Sequence, residues 1–278
     1  MQPGTQDGVV VIKSLLMVQP AWVRDRYHFV VVLKRGVPFY GPQDYIPNEE
    51  YYNWSSLSNL TEDVNAVIAE LSTKTWVDSS RIVVIGHSAG ADVAAKVAAT
   101  NSKVTHVVCL GAGGASQIYD SIVGIRKKVL TGDLTTSQGE DLIQKEYATF
   151  REIFADPDST SKKWQGETYK EWHSFLAEST TENLLKAHVP VFVAVGTKDR
   201  QVPIESADIS AVEFLRRGKS NLTFVDLPDA GHSMMAWQTE PNGKGRLIDF
   251  QERIVREALR WVDDPTKWHS PSDFYRAY

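Results

Sequence analysis

The nine residues Ile82-Val83-Val84-Ile85-Gly86-His87-Ser88-Ala89-Gly90 constrain this chain more than any other stretch. Ile82 to Ile85 are β-favouring and apolar, a short buried strand, while Ala89, Gly90, Ala91, Ala94, Ala95, Ala98 and Ala99 suit a helix slim enough to pack closely on a sheet. Between them a serine sits on a strand-to-helix turn. Such a turn pushes a hydroxyl out towards solvent and is so sharp that side chains larger than hydrogen clash, which accounts for glycines two positions to each side of Ser88. Asp92 and Lys96, four apart with the acid first, are expected on the exposed face of the helix. A chance five-residue match in a loop would lack both the strand before and the helix after.

The same rhythm recurs along the chain. Short β-branched runs fall at Val9 to Ile12, His28 to Leu33, Arg81 to Ile85, Val104 to Leu110, Val191 to Val195 and Leu222 to Leu227. Between and after them apolar residues recur at helical spacing: Leu60, Val64, Val67, Ile68 and Leu71, then Ala207, Ala211, Val212 and Leu215, then Leu247, Phe250, Ile254, Ala258 and Trp261. Alternating strands and helices argue for an α/β class, a mostly parallel sheet flanked by helices, formed by residues 1–278 as one domain. One gap breaks the pattern. Residues 115–187 are helical and amphipathic, rich in aromatics such as Tyr147, Phe150, Phe154, Trp164, Tyr169, Trp172 and Phe175, with turn signals at Ala155 to Asp158 and Gln165-Gly166. So long an excursion is expected to fold as a helical cap insertion rather than as a loop.

Composition narrows the partners. With 30 basic and 35 acidic residues the formal charge is −5, which disfavours nucleic acid and anionic membranes as partners. Cys109 is the only cysteine, so neither a disulfide within the chain nor a thiolate metal site can form. Histidine pairs at metal-binding helical spacing do not occur, and the glycines of Gly111-Ala112-Gly113-Gly114 lack the third glycine or alanine of a dinucleotide fingerprint, position 116 being Ser116. No metal and no cofactor is therefore expected. No segment has the length or apolarity of a membrane span or an export signal, so a soluble, cytoplasmic protein is the default expectation.

A serine hydroxyl needs a base to take its proton and an acid to hold that base. Among seven histidines, His232 alone follows a candidate strand in a turn-rich segment, Asp229-Ala230-Gly231-His232-Ser233. Asp199, in Gly196-Thr197-Lys198-Asp199, likewise follows the run Val191 to Val195. In an open parallel sheet, residues just beyond strand carboxyl ends gather at one edge, and Ser88, Asp199 and His232 all meet that rule. Asp226 and Asp229 are rival acids, Asp229 being too local to orient the far ring nitrogen of His232.

Gly-His-Ser-Ala-Gly, Gly-Thr-Lys-Asp before Val-Pro, and Gly-His-Ser near the C-terminus together resemble the α/β-hydrolase superfamily, over most of the chain. Among its branches the chain is similar to capped esterases and to domains of the prolyl-oligopeptidase and dienelactone-hydrolase kind. The resemblance implies Ser88 as nucleophile, Asp199 as orienting acid, His232 as base and the Ala89 N–H as one oxyanion donor. It departs from the family at the second donor: Lys13-Ser14-Leu15-Leu16 follows Val9 to Ile12 where a glycine-rich loop is usual. Ser14 or Lys13 is the expected donor, with Lys34-Arg35-Gly36 as a weaker substitute. The family's two leading antiparallel strands are expected to be missing, since eight residues precede Val9. His87 beside the serine, Met234 just past His232, and Trp172 in the insertion are the expected substrate contacts. The implied activity is hydrolysis of a small-molecule carboxylic ester through an acyl-enzyme. Peptide hydrolysis, with Asn48-Glu49-Glu50 holding an ammonium, and ligand binding without catalysis on the same scaffold are the alternatives.

Overall fold

Where a short run is apolar at every position, a strand can bury both of its faces, and such runs build the centre of the molecule. The computed structural model describes residues 26–37, 47–239 and 245–266. In chain order these form α1 (Glu49–Trp54), α2 (Leu57–Leu71), β1 (Val83–His87), α3 (Ala89–Thr100) and β2 (His106–Leu110). Then come α4 (Gln117–Leu130), α5 (Thr136–Ala155), β3 (Lys163–Trp164), β4 (Glu167–Thr168), α6 (Tyr169–Leu176) and α7 (Thr180–Lys186). The described chain continues with β5 (Val191–Gly196), α8 (Ile204–Arg216), β6 (Leu222–Leu227), β7 (Met235–Thr239), β8 (Gly245–Asp249) and α9 (Gln251–Asp263).

Strands β1, β2, β5 and β6 pair in that order, all parallel. Val108, Leu110, Phe192, Ala194 and Val225 point to one face, where they meet Ile254, Ala258 and Trp261 of α9. Val107, Cys109, Val191 and Val193 point to the other, where Ala91, Ala94, Ala95 and Ala98 let α3 lie close and Leu184 and Phe214 complete the layer. This is the mostly parallel, helix-flanked sheet of an α/β-hydrolase fold. Cys109 is buried within it.

Between β2 and β5 the chain leaves the sheet. Phe150, Ile153, Tyr169, Trp172 and Leu176 form one apolar cluster there, and Ile122, Ile125 and Ile143 another. Gln165 and Gly166, both at positive φ, make the two-residue turn between β3 and β4, as their turn signal predicted. The excursion also changes the surface of α3. Asp92 and Lys96, expected to face solvent, are covered: Asp92 accepts from Thr180 and from Gln117, and Lys96 pairs with Glu178. Helical spacing identifies a polar face but not the neighbour that later packs on it.

Three further expectations are corrected. Residues 28–33 are not a strand, because Tyr27 and Phe29 pack on the core beside α9 while Val30 and Val31 stay exposed and no ladder joins the run to β1. Leu247 does not begin the last helix; it lies in β8, opposite Trp237 of β7. In α8 the buried face is Ser206, Ala207, Ser210 and Phe214, whereas Val212 and Leu215 face solvent. The expected strand Val9 to Ile12 and the question of leading antiparallel strands lie outside the described residues. No helix among those described is long and apolar enough to cross a membrane.

Candidate active site

The carboxyl ends of β1, β5 and β6 deliver three side chains to one point. Ser88 follows β1 with φ 54° and ψ −129°, a backbone conformation few non-glycine residues adopt. Its N–H donates to the Leu110 carbonyl of β2 (2.9 Å), and its own carbonyl accepts from Ala91 N–H (2.8 Å), so the turn is held on both sides. The flanking glycines are not equivalent. A Cβ on Gly86 would lie 1.9 Å from the Gly90 carbonyl oxygen, yet one on Gly90 would meet nothing within 4 Å. The steric reason expected for both holds only for Gly86.

Asp199 lies in the loop after β5 and is 1% exposed. Its Oδ1 accepts from the N–H groups of Gln201 (2.8 Å) and Val202 (2.9 Å), and its Oδ2 faces His232 Nδ1 at 2.8 Å. A carboxylate only accepts, so Nδ1 carries a proton, and in the neutral ring Nε2 presents a lone pair. That lone pair faces Ser88 Oγ at 2.8 Å. The two loops approach through Gly196: a Cβ there would lie 2.2 Å from the Ala230 carbonyl oxygen, which accepts from Lys198 N–H at 2.9 Å. Asp229, the local rival acid, turns away to pair with Lys198 (2.6 Å), and Asp226 is exposed on β6.

The other candidates fall in different places. Ala89 opens α3, so its N–H has no carbonyl one turn back within the helix to accept from it. His87 Nε2 donates to the main-chain carbonyl of His232 (2.8 Å), and the two rings stand 4.9 Å apart. Met234, at φ 57° and 2% exposed, sits against Gly111, with its Cε 3.2 Å from where a Cβ would stand there. Trp172 belongs to the apolar cluster of the excursion, its indole N–H donating to the Trp164 carbonyl (2.6 Å). Ser14 and Lys13 lie outside the described residues. Lys34 and Val37 close a turn around Gly36 (φ 76°), while Arg35 pairs with Asp63 and covers the Trp54 ring. Asn48 caps α1, which begins at Glu49 and Glu50. A cavity lined by Ser88, His232, Met234, Lys34, Glu171 and Phe175 opens beside the serine.

Sequence reasoning missed two groups of buried carboxyls. Asp120, 4% exposed on α4, has its carboxyl pushed up to about 7 by burial, against a hydrogen bond from Ser206 and with the charges of Asp92 and Asp199 adding. Glu167 and Glu171 are buried beside Tyr51 and Lys34. A signal for Glu171 existed: Thr168 caps α6 by accepting from the Glu171 N–H three residues on, which places that residue in the first helical turn. No group of histidine, cysteine and acidic residues among those described could hold a metal ion.

The model of the serine aminopeptidase, S33, family matches residues 44–239. Among solved structures the chain is similar to DcsB in complex with its substrate analogue, at 15% identity over 78% of this chain and 75% of that one, with a TM-score of 0.49. It is similar to dipeptidyl peptidase 4 from Porphyromonas gingivalis (13% identity, 78% and 24% covered, TM-score 0.48). It is also similar to the α/β hydrolase GrgF from Penicillium sp. sh18 (13% identity, 76% and 73% covered, TM-score 0.45). No curated protein matches the chain.

Proposed function

Because the chain belongs to the serine aminopeptidase, S33, family of α/β hydrolases, we propose that it cleaves carboxylic esters through an acyl-enzyme formed on Ser88. The observation that carries this reading is the unbroken line from Asp199 through His232 to Ser88, with both links at 2.8 Å. Ser88 Oγ attacks the ester carbonyl as His232 Nε2 takes the hydroxyl proton, and Asp199 stabilises the imidazolium that forms. The carbonyl oxygen gathers negative charge near the Ala89 N–H at the positive end of α3. Collapse expels the alcohol, which receives its proton from His232. Water then enters, gives a proton to His232 and releases the carboxylic acid, restoring Ser88.

In this reading the inserted residues 115–187 act as a cap, and the apolar side chains around the cavity hold the acyl or alcohol part of a small ester. Ser88→Ala is expected to abolish hydrolysis of p-nitrophenyl esters with the fold intact, and a fluorophosphonate probe is expected to label the wild type alone. Full turnover by the variant refutes the proposal. A second reading, peptide or amide hydrolysis by the same residues, is favoured by the family description. Aminoacyl p-nitroanilides compared with short acyl esters discriminate the two.

A further inference from the structure

Glu167 on β4 and Glu171 on α6 bring two carboxyl groups to one buried place, where one ammonium among the described residues, that of Lys34, meets them. One oxygen of each is satisfied. Tyr51 donates from its hydroxyl to Glu167 Oε1 (3.2 Å), and Lys34 Nζ donates to Glu171 Oε1 (3.0 Å) and to the Tyr51 oxygen (3.3 Å). The other oxygen of each, Glu167 Oε2 and Glu171 Oε2, is buried and has no donor among the described residues. Two acceptors cannot satisfy each other, and a buried acceptor without a partner costs about 1–3 kcal/mol, more when charged. Neither oxygen meets solvent, so no ligand ammonium can reach them. A proton can, and it turns one of the two into a donor.

We infer that Glu167 and Glu171 share one proton, and that this proton clamps α6 to α1 and to residues 27–37 across the cavity that contains Ser88. With it, two carboxyls, one proton and one ammonium sum to zero charge. Without it, a net negative charge is buried. Burial foremost, and then the neighbouring Glu171, push the Glu167 carboxyl well above the usual carboxylate range, against the smaller pull of Lys34 and the Tyr51 hydroxyl. Tyr51 is pushed up by the same burial and stays a neutral donor. Among the described residues these are the ionisable groups facing the pair; Lys163 lies over the Tyr52 ring and Lys170 donates to the Asn53 carbonyl instead. The clamp matters for access because α6 carries Glu171, Trp172 and Phe175 on the cavity wall that Ser88 and His232 share.

The sign follows from the direction of the shift. When α6 lifts, Glu167 is hydrated and returns towards an ordinary glutamate pKa of about 4.3, so opening releases the proton. Between that value and the raised one the opening constant therefore grows up to about tenfold per pH unit, and it is level outside the window. Hydrogen exchange read by mass spectrometry on the full chain, at about pH 5, 6 and 7 and corrected for intrinsic rates, measures this. Protection of residues 167–176 is expected to fall with each step. Glu167→Gln keeps a donor for Glu171 and an acceptor for Tyr51 but cannot titrate, and its protection there is expected to be level. A flat wild-type profile, or an unchanged slope in Glu167→Gln, overturns the inference. If the variant fails to fold, the wild-type profile of residues 167–176 decides alone. None of these readouts depends on catalysis, so their failure is separate from failure of the proposed hydrolysis.

Discussion

Gly86 and Gly90 flank Ser88 symmetrically in the sequence, but the structure predicts opposite outcomes for alanine at the two positions. At Gly86 the new Cβ would lie 1.9 Å from the Gly90 oxygen, 2.3 Å from the Gly90 carbonyl carbon and 2.7 Å from Ala91 N. All three are main-chain atoms, so relief requires the turn itself to move by about 1 Å. Overpacking costs about 1–3 kcal/mol where side chains can adjust, and a clash with backbone belongs at or beyond the upper end, about 3 kcal/mol. A shift of that size also breaks the 2.8 Å approach of Ser88 to His232, and a misplacement of about 1 Å costs about a hundredfold in rate. Gly90 lies in α3 with nothing within 4 Å of a new Cβ, so alanine there should stabilise by up to about 0.5–1 kcal/mol through helix propensity. The variants should thus differ by about 4 kcal/mol. In urea, with an m-value of about 3 kcal/mol/M, their midpoints should separate by more than about 1 M. Fluorophosphonate labelling should survive Gly90→Ala and fail in Gly86→Ala. Midpoints that move together refute the reasoning.

Asp199→Asn should leave folding intact but present an amide N–H to His232 Nδ1, forcing the wrong tautomer, and lower kcat on p-nitrophenyl esters by about ten-thousandfold; a loss below about tenfold would remove Asp199 from the proposed mechanism. Asp120 tests a different link, between burial and pH. Its folded pKa, about 7, is above the ordinary 3.8, so its contribution is fully present at acid pH and erodes as pH rises through that interval. Asp120→Asn removes the titration, and its stability relative to wild type should rise by up to about 1.4 kcal/mol per pH unit between about pH 4 and pH 7, then level off. A difference independent of pH in urea titrations contradicts this.

What the sequence made legible was whatever depended on strand ends. Leu222 to Leu227 is a strand at those bounds, and the residues expected past β1, β5 and β6 converge because parallel strands must deliver their carboxyl ends to one edge. Partners chosen by distant packing were not legible. Asp92 and Lys96 have the spacing of a solvated pair, and only the arrival of Gln117, Glu178 and Thr180 makes them interior. Glu167 and Glu171 look like surface charges on an amphipathic segment, because nothing local announces that Lys34 and Tyr51, more than a hundred residues earlier, will enclose them. Leu247 continued a helical period by accident, since a strand that pairs with β7 also places an apolar residue there.

The glycines divide along the same line, and the division explains why the serine motif could be read at all. The Ser88 turn is held by the main chain: its N–H on Leu110, its carbonyl on Ala91, and Gly86 pressed against Gly90. Gly196 against Ala230 brings the loops of Asp199 and His232 together in the same way. Main-chain approaches demand a missing side chain, and a missing side chain is visible in a sequence as glycine. Side-chain approaches demand only complementary chemistry, which many residues could supply from many places. So the framework that aims Ser88, Asp199 and His232 is written locally, whereas the contacts of residues 115–187, including the carboxyl pair at Lys34, are settled only when the fold brings distant segments together.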